Sequence, residues 1–267
     1  MNMSGQQHRS DPGILDRRTL RADHRRLAEL LRPGMRVLDV GCGTGAITMG
    51  IAEAVGPGGS VVGVDRDPAH IERARAGAAA FPNLRFEAGD ATGLDYAGAF
   101  DVVTAARTLQ WIADARGAVR RMVRAVRPGG WLVLLDYDHA RNAWDPAPPP
   151  AFAAFYARFL SWREANGWDN LMASHLPALL DEAGASVSES QAADVISCAG
   201  DADFLQRTAL WIEVIDNLGP TLCAAQVCDA AFLTEARRSY DAWRATELRR
   251  HTLAMQAVVA RIREGHA

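Results

Sequence analysis

The stretch MRVLDVGCGTGAITMGIAEAV, residues 35–55, decides how the rest of the chain is read. An apolar run from Val37 to Val40 predicts a buried strand, and helical periodicity resumes at Ile47. Between them Gly41, Gly43 and Gly45 let the backbone turn sharply and approach a bound ligand closely. Strand, glycine-rich loop and helix, in that order, predict the opening of a nucleotide-type cofactor site.

The pattern repeats downstream of this stretch. SVVGVD, set off by Gly56–Gly59, predicts a second strand ending in Asp65, and Pro68 opens a helix running to about Ala80. Leu84 to Glu87 and Phe100 to Thr104 predict two more strands. Val119, Met122, Val123 and Val126 make the apolar stripe of a helix closed by Pro128-Gly129-Gly130. The fifth strand, Trp131 to Leu135, is nearly all apolar, as expected when helices cover both faces of a parallel sheet. Upstream, residues 14–31 carry Leu20, Leu27, Leu30 and Leu31 at helical spacing and predict one helix ending before Pro33-Gly34.

After residue 137 the alternation breaks. A proline-rich segment leads into the aromatic helix FAAFYARFLSW, whose Phe152, Phe155, Tyr156 and Phe159 form a band. Leu176 to Ala183 reads as a helix stopped by Gly184, residues 185–196 as a strand, 201–250 as two or three helices, and 252–262 as a closing strand. The expected organisation is a lead-in over residues 1–13, then one domain over 14–267 with helical insertions at about 139–170 and 201–250.

Composition narrows the function classes. With 49% hydrophobic residues over 267 positions there is ample material for a substantial core. A net charge of −3 gives no global positive field for nucleic acid, which is not expected as a partner. No long uncharged apolar run marks a membrane span, and the polar start lacks a signal peptide's core, so a cytoplasmic location is expected. Self-association into a homodimer is left open. Cys42, Cys198, Cys223 and Cys228 form no Cys-x-x-Cys pair and lie near no completing histidine, so they read as free thiols and no metal is expected.

The glycine spacing is G-x-G-x-G where a dinucleotide site expects G-x-G-x-x-G, and no Gly-Lys-Ser/Thr follows for P-loop chemistry. Asp65 at the end of its strand suits a ribose diol, which fits NAD and S-adenosylmethionine equally. Asp39, two residues before the first glycine, is a poor neighbour for a pyrophosphate and a good one for a cationic amine. Asp90 can accept a hydrogen bond from an adenine amino group. Three carboxylates at three strand ends suit a sulfonium and an ammonium better than two phosphates.

With these residues the chain resembles the class I S-adenosylmethionine-dependent methyltransferases over 35–136. The matching segments are VLDVGCGTG, GVDRDP, AGDAT, FDVVTAARTLQWIAD and RPGGWLVLLD. The resemblance implies an α/β fold: a doubly wound, mostly parallel seven-stranded sheet with helices on both faces and an antiparallel last strand. Helical insertions would form a lid. It implies S-adenosylmethionine as cofactor, with Gly41, Gly43 and Gly45 at its methionine part, Asp65 at its ribose, and Arg66, Asp90 and Ala91 at its adenine. Arg107, Leu109 and Gln110 would line the methionine end, where Arg107 departs from the smaller or neutral residues of many small-molecule members.

Methyl transfer needs a base only when the acceptor arrives protonated. His139, just beyond the fifth strand, is the first choice for that proton, with Asp138 orienting it or acting alone. Trp111, Tyr137 and Tyr156 are expected to border a small-molecule acceptor. The competing readings are an NAD-dependent oxidoreductase and a non-catalytic cofactor-binding protein. The first lacks a Tyr-x-x-x-Lys relay in a chain without a single lysine.

Overall fold

The computed structural model describes residues 12–263. The expected lead-in therefore lies outside them, apart from Pro12 and Gly13, which open the first helix. The helices and strands run α1 (Pro12–Asp16), α2 (Leu20–Asp23), α3 (Arg25–Leu30), β1 (Arg36–Val40), α4 (Ala46–Val55), β2 (Ser60–Asp65), α5 (Pro68–Gly77), β3 (Leu84–Ala88), β4 (Phe100–Ala106), α6 (Ala115–Ala125) and β5 (Val126–Tyr137). They continue as β6 (Ala143–Asp145), α7 (Pro150–Ala165), α8 (Met172–Glu182), β7 (Ser186–Ala192), β8 (Val195–Cys198), α9 (Phe204–Thr208), α10 (Leu210–Ala224), α11 (Ala230–Thr246), β9 (Arg250–Leu253) and β10 (Met255–Arg261). Two compact units result. One takes the chain up to Asp136, Met172–Gln191 and the segment from Ala257 on; the other takes Tyr137–Leu171 and Ala192–Gln256.

The first unit holds a seven-stranded sheet in the order β3-β2-β1-β4-β5-β10-β7. Strands β1 to β5 pair in parallel, with Asp39 level with Gly63 on one side and Thr104 on the other. The closing strand β10 runs antiparallel, as expected. Alternate side chains go to opposite faces. Leu38, Val40, Val103, Leu132 and Leu134 pack with α6 and α8, while Val37, Val61, Val102 and Val133 pack with α3 and α4. Each such side chain, taken fully out of water, contributes roughly 1.5–3 kcal/mol. The doubly wound arrangement follows from that two-sided burial.

Four details differ from the sequence expectation. The helix expected over 14–31 is three short ones. Thr19 caps α2 by accepting from the Ala22 amide at 3.2 Å, and His24 breaks the chain at φ −145° and ψ 56°. The break turns the His24 ring inward, where Nε2 lies 2.8 Å from Thr104 Oγ1. Pro128-Gly129-Gly130 does not separate α6 from its strand: β5 starts at Val126, and Gly129, at φ 72°, donates its amide to the Ile262 carbonyl. The strand expected over 185–196 is two, because Asp194 turns out of the ladder and accepts the Met255 amide on its side chain at 2.9 Å. The closing strand is likewise two, β9 and β10, parted at Ala254, whose amide goes to Asn142 Oδ1 at 2.8 Å.

The second unit is not purely helical. It contains a three-stranded antiparallel sheet, β6-β9-β8, beside α7 and α9 to α11. Its core is aromatic: Phe152 stacks on Tyr240 at 4.2 Å between ring centroids, and Trp144 meets Tyr156 and Trp211. The Trp211 indole N–H donates to His251 Nε2 at 3.1 Å, which places the imidazole proton on Nδ1, and the ring stacks on Trp144. The Tyr156 hydroxyl donates to the His139 carbonyl at 2.6 Å and accepts from Asn142 Nδ2 at 2.9 Å. Tyr156→Phe should therefore cost about 1 kcal/mol in urea unfolding; an unchanged midpoint would contradict this role for the hydroxyl. Among the described residues no helix is long and apolar enough to cross a membrane.

Candidate functional site

At the carboxyl end of β1 the backbone turns through Gly41, Cys42, Gly43, Thr44 and Gly45 into α4. The Gly41 and Cys42 amides both reach back to the Val64 carbonyl of β2, at 2.7 and 3.1 Å, which holds the loop against the sheet. Gly41 and Gly45 have φ of 74° and 83°, and space forbids a side chain at either. A Cβ on Gly41 would lie 2.3 Å from Thr108 Cγ2, and one on Gly45 2.5 Å from the Phe86 ring. Gly43 donates its amide to Asp65 Oδ2 at 2.8 Å. The loop is a bare-backbone cradle at the amino end of a ten-residue helix.

Asp39, Asp65 and Asp90 stand at or just past the carboxyl ends of β1, β2 and β3, each held differently. Asp39 is buried and accepts from Thr48 Oγ1 at 2.7 Å. Burial pushes its carboxyl up to about 6, against the pull of the Thr48 hydrogen bond, with the charge of Asp65 adding to the rise. Asp65 is pushed up by burial too, but the His70 imidazole and the Asp67 and Gly43 amides outweigh that and leave it below its ordinary value. Its Oδ1 accepts the Asp67 amide at 2.9 Å. Asp90 caps the turn that follows: Oδ1 accepts both the Thr92 amide and the Thr92 hydroxyl. That hydroxyl is the main reason its carboxyl is lowered, and the nearby Arg66 charge contributes. Ala91 packs beneath in the core.

The loop after β4 is more constrained than its sequence suggests. Arg107 takes φ 59°, donates its amide to the Leu135 carbonyl at 2.7 Å, and sends Nη1 to the Asp23 carbonyl at 3.0 Å. Its charge reinforces the burial that drives His24 down to about 3. Gln110 is buried: its amide donates to Asp136 Oδ2 at 3.2 Å, and its side chain folds back to the Arg107 carbonyl. Trp111 is half-buried. Leu109, expected at the methionine end, is instead a core residue, 1% exposed, behind the turn; the 3₁₀ geometry of Leu109–Trp111 directs it inward.

The remaining candidates belong to the second unit. Asp138 is buried and pairs with Arg141 at 3.3 Å. His139 is 7% exposed, stacked on the half-buried Tyr137 and edge-on to Phe159 and Trp211. Tyr156 has its hydroxyl committed as described. Three contributors went unrecognised in the sequence: Thr48, Thr108 and His70. Thr48, a polar residue in the first turn of AITMGIAEAV, where the other early positions are apolar, was the one with a visible signal.

Residues 31–184 match the family model described as a methyltransferase domain. The trans-aconitate 2-methyltransferase of Deinococcus radiodurans is 35% identical over 158 residues, covering 58% of this chain and 59% of that one. The nocamycin O-methyltransferase of Saccharothrix syringae is 38% identical over 132 residues, covering 48% of this chain and 44% of that one. The chain thus spans less than two thirds of either relative. Among solved structures, a SAM-dependent methyltransferase from Aquifex aeolicus superposes with a TM-score of 0.55 at 16% identity, covering 95% of this chain and 100% of that one, a likeness of fold. With the family model matching over most of the seven-stranded unit, and the glycine cradle and its acids inside the matched span, the chain belongs to the methyltransferase-domain family.

Proposed function

We propose that this chain transfers the methyl group of S-adenosylmethionine to an O, N or C nucleophile of a small molecule by in-line displacement. Asp39 carries the reading. A carboxylate buried at the carboxyl end of a central strand and pushed up to about 6 is poorly stabilised as an anion. An incoming ammonium supplies the missing counter-charge, whereas a pyrophosphate in the same cradle is repelled.

The donor set fits this group. Gly41, Gly43 and Gly45 offer bare backbone to its methionine part, Asp39 takes its amine, Asp65 its ribose hydroxyls, and Arg66, Asp90 and Ala91 its adenine. Arg107 and Gln110 stand at its methionine end. When bound, the sulfonium supplies an already activated methyl group, so the chain's task is alignment and exclusion of water. For an acceptor that arrives protonated, His139 or Asp138 takes the proton, while Trp111, Tyr137 and Tyr156 are the acceptor-side contacts. The relatives named for trans-aconitate and nocamycin support a small organic molecule as the acceptor class.

Calorimetric titration with S-adenosylhomocysteine and with NAD separates the readings: the first should bind and the second should not. Asp65→Ala should weaken S-adenosylhomocysteine binding by roughly 1–3 kcal/mol through loss of two charge-assisted hydrogen bonds. Binding of NAD alone would overturn the proposal, and an unaltered affinity in the variant would remove the role given to Asp65.

A further inference from the structure

His70, in the first turn of α5, is buried among acids. Its Nδ1 lies 3.6 Å from Asp65 Oδ1 and its Nε2 3.9 Å from Asp67 Oδ2. Asp16 of α1 faces the same ring: Arg73 and Thr44 do most to lower the Asp16 carboxyl, and the charge of His70 adds to them. Among the described residues, Asp65 and Asp67 each lie within 4 Å of a ring nitrogen, Asp16 of α1 adds its negative charge, and Arg73 of α5 opposes them. Carboxylates set against both ring nitrogens favour the cation.

Asp65 itself is prepared for a diol. Each oxygen already accepts one backbone amide, from Gly43 and from Asp67, which fixes the carboxylate plane, and the His70 ring approaches on the Oδ1 side. Ribose hydroxyls donated to the carboxylate displace water from it. Its negative charge then depends more strongly on the imidazolium behind it, because screening has been lost.

We propose that His70 is a positioning residue for donor binding, its imidazolium holding Asp65 toward the ribose so that protonation of His70 and binding of the donor promote one another. The inference rests on the assignment of Asp65 to the ribose diol. By reciprocity, the donor draws a proton onto His70, and affinity falls as pH rises through the range in which an imidazole titrates, ordinarily near 6.5. Asp39 produces the opposite slope at lower pH, since its carboxyl must ionise to hold the amine. The pH profile of affinity thus has an alkaline limb belonging to His70 and an acid limb belonging to Asp39.

The test is calorimetry of S-adenosylhomocysteine binding to the full chain between about pH 5.5 and 8.5, in buffers of unlike ionisation enthalpy, which counts protons taken up. The wild type should take up a fraction of a proton near neutrality and lose about fivefold in affinity along the alkaline limb. His70→Asn, whose side-chain amide stands in for Nδ1–H, should bind at high pH about as well as the wild type but without proton uptake or alkaline limb. His70→Leu should bind at every pH no better than the wild type at its alkaline end. Survival of the alkaline limb and of proton uptake in His70→Asn overturns the inference. Asp65→Ala separates the two assignments: unchanged affinity there removes the ribose assignment and the inference with it. Weakened affinity there, beside a wild-type profile in His70→Asn, removes only the role of His70.

Discussion

Acidification from pH 7 to 5 should cost the second unit about 2 kcal/mol of stability, because a buried histidine that is neutral in the folded state becomes protonated on unfolding. Burial drives His251 down to about 4 from its ordinary 6.5. The folded value is depressed, so below 6.5 the unfolded chain binds the extra proton and stability falls with pH, at about 1.4 kcal/mol per unit, until the folded value is reached. In the first unit His24, down to about 3, produces a similar loss. There Asp39 opposes it. Its carboxyl is raised to about 6, so the folded state gains a proton first as pH falls, returning roughly 1 kcal/mol over the same interval. Urea unfolding at the two pH values checks the balance, and tryptophan fluorescence is weighted toward the second unit, which holds five of the seven tryptophans. His251→Gln keeps an acceptor for the Trp211 indole and cannot titrate. It should remove most of the acid loss in that unit; a full-sized loss in the variant would mean that another group is responsible.

His24 and His251 also show what a sequence conceals. The parallel sheet was legible because strands buried on both faces leave nearly continuous apolar runs, such as Val37 to Val40, interrupted by Asp39, and Trp131 to Leu135, each closed by a turn signal. The three acids were legible for the same reason: each stands at the end of a run or just past it, where a doubly wound sheet collects its ligand contacts. The second unit's sheet was hidden because its strands are three and four residues long, Ala143–Asp145, Val195–Cys198 and Arg250–Leu253, too short for alternation to register. Thr108 and His70 were hidden because nothing local marks them. Thr108 matters through its packing on Gly41, and His70 through the acids that α1 and β2 bring to its ring. The break at His24 was invisible because the leucine spacing of 14–31 permits an unbroken helix. A buried hydrogen bond to a threonine eighty residues away decides otherwise. Period and punctuation therefore report burial and turns, while polar contacts made at long sequence separation need coordinates.

Asp39→Asn should make the protein more stable and a much poorer donor binder. At pH 7 to 8 the native state holds an ionised carboxylate that burial disfavours, with a single hydroxyl, from Thr48, compensating it. A rise from 3.8 to about 6 corresponds to an upper bound near 3 kcal/mol of destabilisation above pH 6. Stability from this group is greatest below its unfolded value and is lost as pH climbs to the folded one, so the gain from the amide should be absent below about 3.8 and full above about 6. Asparagine has nearly the same shape and can turn its carbonyl oxygen to the Thr48 hydroxyl, so no cavity forms, while the two N–H donors it brings into a buried place trim the gain. An increase of about 1–3 kcal/mol in unfolding free energy at pH 8, falling to roughly half by pH 5 and to zero only below about pH 4, is the expected result. The same change removes the only charge proposed to meet the donor's amine, and S-adenosylhomocysteine affinity should fall about 10- to 100-fold. The paired outcome is diagnostic. A packing residue would lose stability on substitution and a surface residue would change neither quantity. A carboxylate kept ionised and buried for a cation gains stability and loses the ligand. If the variant were no more stable at pH 8, or bound S-adenosylhomocysteine as the wild type does, Asp39 would not be the group that selects a cationic donor over a pyrophosphate.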